Sequence, residues 1–142
     1  VRKNQALKTY TKLIRAAGTT ATRIQRGVMA QEKLTESQAG VLEALLHLGP
    51  LTHSQLAIKL LKTGGNITMV IDNLEKRSLV ERVPSPADRR AVEVHLTARG
   101  QRLIERVFPR LVAEIEDQMS ALTPAEQKEL GRLCRKLGLQ RG

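Results

Sequence analysis

The sequence predicts a mainly α-helical chain with one small β-hairpin, on three observations. Apolar residues recur every three or four positions through most of the 142 residues. Three Thr-x-x-Gln/Glu openings mark helix starts. A single stretch, Val92 to Leu96, alternates with period two instead. Hydrophobic residues at 41% and charged residues at 27% indicate a globular chain rather than a disordered one. The length suits one domain.

Leu7, Leu13, Ile14 and Ile24 read as a first helix with Arg15, Arg23 and Arg26 exposed. "TESQ" (Thr35 to Gln38) opens a second, in which the threonine hydroxyl and the glutamine amide can satisfy free backbone donors reciprocally. Val41, Leu42, Leu45 and Leu46 share its apolar face, and Gly49-Pro50 stops it near Leu48. "THSQ" (Thr52 to Gln55) opens a short helix to about Leu61, with Leu56, Ala57, Leu60 and Leu61 apolar. After "KTGG", Ile67, Val70, Ile71 and Leu74 indicate a helix from Gly65 to Arg77. Two short helices joined by a tight glycine-containing link are the parts of a helix-turn-helix.

"LVERV" can pair with the alternating strand through Leu96, and Pro84 and Pro86 stiffen the loop between them. A hairpin directly after a helix-turn-helix makes a winged helix spanning 35–100, with "SPADRR" at the tip of the wing. From Thr97 to about Leu122, Ile104, Phe108, Leu111, Ile115 and Met119 form one long stripe, which Pro109 is expected to kink. "TPAE" (Thr123 to Glu126) opens a last helix with Leu130, Leu133 and Leu137 apolar. The outer helices, 1–30 and 101–142, carry more apolar surface than one small lobe covers, so they are expected to dimerise.

The net charge of +10 favours a polyanionic partner. One Tyr, one Phe and no Trp argue against recognition by base stacking. Catalysis is not expected. His47, His53, His95 and Cys134 lack metal-ligand spacing, and "KTGGNIT" lacks the full phosphate-loop pattern. No cofactor or metal is therefore expected. Cys134 reads as a buried packing thiol and His47 as a satisfied structural histidine. With no bilayer-length apolar run, no apolar signal core in "VRKNQALKTYTK" and one cysteine, a soluble cytoplasmic protein is expected.

The helix from Gly65 is the natural reader of double-stranded DNA. Its outward face holds Gly65, Thr68, Met69, Asp72 and Lys76, flanked by Asn66 and Asn73. Asn can bond adenine bidentately, Thr and Met can touch a thymine methyl, and glycine lets backbone approach phosphate. A purely solvated face would more often be rich in Glu and Lys. Arg89 and Arg90 at the wing tip suit the negative minor groove, and Asp88 is expected to hold the loop's shape through an arginine or a backbone donor.

The pattern resembles the MarR (multiple antibiotic resistance regulator) family of winged-helix transcription factors over nearly the whole chain. "IDNLEKRSLVER…DRRAVEVHLTARG" carries the most specific likeness, and "GGNITMVIDNLEK" is most similar to the MhqR-like subgroup. The resemblance implies a homodimeric repressor of a pseudo-palindromic operator. It also implies release by a small phenolic or quinone-like effector bound between the dimer helices and the DNA-binding lobe. By position, Thr63, Gly64 and the residues on to Asn73 would supply recognition contacts, and Arg90 would enter the minor groove. A nonspecific architectural nucleic-acid-binding protein is the alternative. Ser78 departs from the glycine many members have at that helix end, and Met69 from their arginine. The thiol-sensing branch uses a cysteine in the N-terminal helix, which this chain lacks, so Cys134 inherits no such role.

Overall fold

The computed structural model describes residues 4–60 and 64–139. Among them, six α-helices and three short strands follow one another as α1 (Gln5–Ile24), α2 (Glu36–Leu48), β1 (Leu51–Thr52), α3 (His53–Leu60), α4 (Gly64–Lys76), β2 (Val80–Pro84), β3 (Val92–Leu96), α5 (Ala98–Met119) and α6 (Pro124–Gly138).

All three threonine openings form reciprocal capping boxes. Thr35 and Gln38 exchange bonds of 3.0 and 3.1 Å, Thr52 and Gln55 of 2.9 and 3.2 Å, and Thr123 and Glu126 of 2.9 and 3.2 Å. Such a cap is worth about 1 kcal/mol. The sheet has three antiparallel strands in the order β1-β3-β2, one more than the expected hairpin. Leu51 pairs with Val94, and Val80 to Pro84 pair with Leu96 to Val92. A two-residue strand is too short to show alternation, so only its tertiary pairing reveals β1.

The core lies beneath α4, where Ile67, Ile71 and Leu74 are fully buried against Leu42 of α2, Leu56 of α3 and Val94 of β3. Removing one such side chain typically costs 2–5 kcal/mol. Val28, Leu34, Ile104 and Val107 extend the same core into the segments before α2 and after β3. Two backbone details join these parts. The α4 end closes with Ser78 N–H donating to Glu75 O (2.9 Å) and Leu79 N–H to Leu74 O (3.0 Å), which requires a left-handed Ser78 (φ 61°). At Gly100 a β-carbon would collide with the Leu79 carbonyl, so the start of α5 packs directly on that helix end.

The N-terminal helix does not run straight into the lobe. After α1 comes a π-helical turn, Gln25–Met29, in which Gly27 leaves helical geometry (ψ −133°). The Val28 N–H freed there donates to Glu114 Oε1 at 2.7 Å, and a β-carbon at Gly27 would strike the same carboxylate. Helix α5 continues through Pro109.

Among the described residues, neither α1 nor α6 has a buried one. Cys134 is exposed, not the buried packing thiol the sequence suggested. The reason is that, among the described residues, the α6 apolar face of Leu130, Leu133 and Leu137 stays 40–50% exposed.

Candidate nucleic-acid interface

Helix α4 is fixed by its buried Ile67, Ile71 and Leu74, which leaves the opposite face outward. Gly65, Asn66, Thr68, Met69, Asn73 and Lys76 are all exposed, Met69 to 63%. Gly64 begins the helix, one residue earlier than expected. A β-carbon at Gly65 would meet nothing, so the backbone there is open to an approaching surface. Thr63 lies outside the described residues.

Asp72 departs from the expected free face. Arg82 of β2 reaches it with one terminal nitrogen, meets Glu75 Oε1 with the other (2.7 Å), and donates its Nε–H to His53 Nε2 (3.2 Å). This guanidinium fastens α4 to the wing and to α3 at once. Burial is the main cause holding the His53 pKa below its ordinary value, and the Arg82 charge adds to it. Sequence reasoning missed Arg82 because its partners lie seven, ten and twenty-nine residues away, beyond any local pattern.

The wing tip is ordered by its own backbone. Arg90 N–H donates to Asp88 Oδ1 (3.0 Å), Ala91 N–H to Asp88 O (3.0 Å) and Ser85 N–H to Ala91 O (3.0 Å). Of the two routes expected for Asp88, the backbone one is used. Arg89 and Arg90 project from this loop, both exposed.

The electrostatics are not what the total charge suggests. Residues 64–96, which include both α4 and the wing, contain five basic and five acidic side chains. The excess lies in residues 1–30, with seven basic and no acidic, and in 97–110, with four basic and one acidic.

A cavity of about 730 Å³ opens where α1, the π-helical turn, α2 and α5 meet. Ile24, Met29, Phe108, Leu111 and Ile115 make it largely apolar, and Gln25, Arg26 and Glu43 add polar groups. Beside it, His47 Nδ1 lies 3.0 Å from Glu43 O and its ring meets Phe108 edge-on at 4.9 Å. The histidine is hydrogen-bonded as expected, although exposed. No residue pattern marked the walls of this cavity, which come from four separate segments; the family resemblance implied only a place between the outer helices and the lobe.

Among known proteins, the MarR family model matches residues 34–92. The transcriptional regulator MhqR of Bacillus subtilis is 35% identical over 106 residues, spanning 75% of this chain and 73% of that protein. The chain belongs to the MarR family. A second relative, the uncharacterised regulator YkoM of Bacillus subtilis, is 36% identical over 103 residues, 72% of this chain and 67% of that protein. Among solved structures, the MarR-family regulator Sco3205 of Streptomyces coelicolor in complex with DNA superposes with a TM-score of 0.89 at 26% identity, covering 100% of this chain and 93% of that one. BpsR of Bordetella bronchiseptica, whose DNA binding is regulated by 6-hydroxynicotinic acid, gives 0.88 at 27%, covering 99% and 100%. This MarR-family protein is a DNA-binding transcriptional regulator.

Proposed function

We propose that this MarR-family protein is a homodimeric repressor of a pseudo-palindromic operator, read by α4 in the major groove and by the wing in the flanking minor groove. The observation that carries the reading is the outward α4 face, with Asn66, Thr68, Met69 and Asn73 exposed above a fully buried opposite face. Arg89 and Arg90, on a loop braced by Asp88, supply the minor-groove contact. Pre-ordering that loop lowers the entropy lost on binding.

Dimerisation is supported by exposed apolar residues on the outer helices: Leu7, Tyr10 and Ile14 on α1, and Leu130, Leu133 and Leu137 on α6. The cavity between α1, α2 and α5 is the site we assign to a small phenolic or quinone-like effector, and the regulation of BpsR by an aromatic acid supports that class. A ligand there would touch both the dimer helices and α2 of the lobe, so it could favour one lobe spacing over another.

In vitro selection from random duplexes at about 0.15 M salt tests the proposal. The expected product is a palindrome with half-site centres about 10 bp apart, released by an aromatic effector. Retention without an enriched sequence would favour nonspecific architectural binding. The balanced charge of residues 64–96 speaks against that reading, since nonspecific affinity comes from neutralising phosphates.

A further inference from the structure

We infer that the cleft between the start of α5 and the end of α4 is an anion site for a phosphate chain, separate from the DNA-reading surface. It has a volume of about 310 Å³ and is walled by Arg77, Arg99, Arg102 and Arg106, with Glu32 as its only acid. Arg99, Arg102 and Arg106 follow one another at three- and four-residue steps, so they share one face of α5.

Glu32 is already engaged, by Arg106 at 2.9 Å. Arg77 is held in place by donating to Glu32 O (3.1 Å) and Lys33 O (2.8 Å). Among the described residues no carboxylate pairs with Arg99 or Arg102. The α5 first turn contains no acid. Cations at that end oppose the positive pole of the helix dipole, so these arginines sit where they weaken their own helix. An anion in the cleft would reverse that repulsion and meet the helix pole as well.

The placement separates this site from DNA recognition. Arg77 follows the last residue of α4, whereas Gly65 and Asn66 stand at the other end, roughly 15–20 Å away along the helix. The start of α5 follows the base of β3, whose far end leads to the wing tip about 15 Å away. The cleft thus lies at the distal end of both reading elements. Its lining includes no aromatic residue and only Leu79 and Leu103 as apolar ones, which offers no platform for a base. Guanidinium forks bind phosphate oxygens in pairs, and a chain of phosphates can engage several forks at once.

The test is isothermal titration of the full chain with inorganic tripolyphosphate at about 0.15 M salt. Saturable binding of one chain per protomer is expected, weakened at least about tenfold in Arg99→Ala/Arg102→Ala. Arg99→Lys/Arg102→Lys, which keeps the charge but loses the fork, should lie between the two, and Arg89→Ala/Arg90→Ala should bind as the wild type does. Circular dichroism melting verifies that each variant is folded. A parallel titration with adenosine triphosphate distinguishes a nucleotide from a free phosphate chain. Unsaturable binding, equal affinity for citrate, or equal loss in the wing variant would overturn the site. So would an Arg99/Arg102 variant that loses affinity for a fixed duplex while keeping tripolyphosphate, because the cleft would then serve the DNA backbone.

Discussion

Ser78 holds a left-handed backbone (φ 61°) to close α4, a conformation that costs a residue with a β-carbon about 1 kcal/mol. Ser78→Gly is therefore expected to stabilise the protein by about that amount, seen as a higher urea midpoint with an unchanged slope. The contact between Gly27 and Glu114 predicts the opposite. Gly27→Ala drives a methyl into the carboxylate that caps Val28, for a loss of about 1–3 kcal/mol. In a Glu114→Ala background the same change should cost at least about 0.5 kcal/mol less, a coupling measurable by a double-mutant cycle. His53 adds a pH dependence. Its folded pKa is depressed, so the unfolded chain binds the proton more readily, and stability falls as pH drops from about 6.5 through the lowered folded value. Comparing urea midpoints at neutral and mildly acidic pH should show this component vanish in His53→Gln.

At the scale of elements, the proposed function divides the reading of DNA between α4 and the wing, and substitutions in each should then behave differently. Arg90→Ala is expected to weaken binding on every duplex and to lower the salt slope by about one unit. Asn73→Ala should instead change preference at particular base pairs, leaving others as they were. Both are read by binding titrations over a salt series on the selected operator and its single-base variants; equal losses on all sequences for both would end this division. The Arg82 hub sits behind it, joining α4, β2 and α3. Its two acidic partners are two-fifths to one-half exposed, so solvent screening keeps its worth modest, and its role is chiefly to fix the angle between helix and wing.

For the whole molecule, charge and exposed apolar surface meet on α1 and part elsewhere, with basic residues at the start of α5 and apolar ones along α6. Residues 64–96, which include α4 and the wing, are electrically balanced, while the first thirty residues and the start of α5 hold the entire excess. The outer helices leave Leu7, Tyr10, Ile14, Leu130, Leu133 and Leu137 uncovered. If these faces form the proposed dimer, placing an aspartate at both Leu7 and Leu133 is expected to shift the protein to monomers in sedimentation and to lower its melting temperature. An unchanged sedimentation coefficient would assign those faces another cover.

The family resemblance singled out Ser78, and the structure supplied its left-handed backbone; the sequence by itself determined the winged helix, all three threonine caps and the buried face of α4. These rest on neighbours within four residues or on a single repeating period, which local physics fixes. It left β1, the Arg82 hub, the Gly27–Glu114 contact, both clefts and the exposure of Cys134 to the tertiary structure. Each depends on segments far apart in sequence meeting in space, and a helix face that looks apolar locally is buried only if another element arrives to cover it. The net charge shows the same limit. Its sign pointed to a polyanion, but only the folded chain gathers Arg77, Arg99, Arg102 and Arg106 into one cleft.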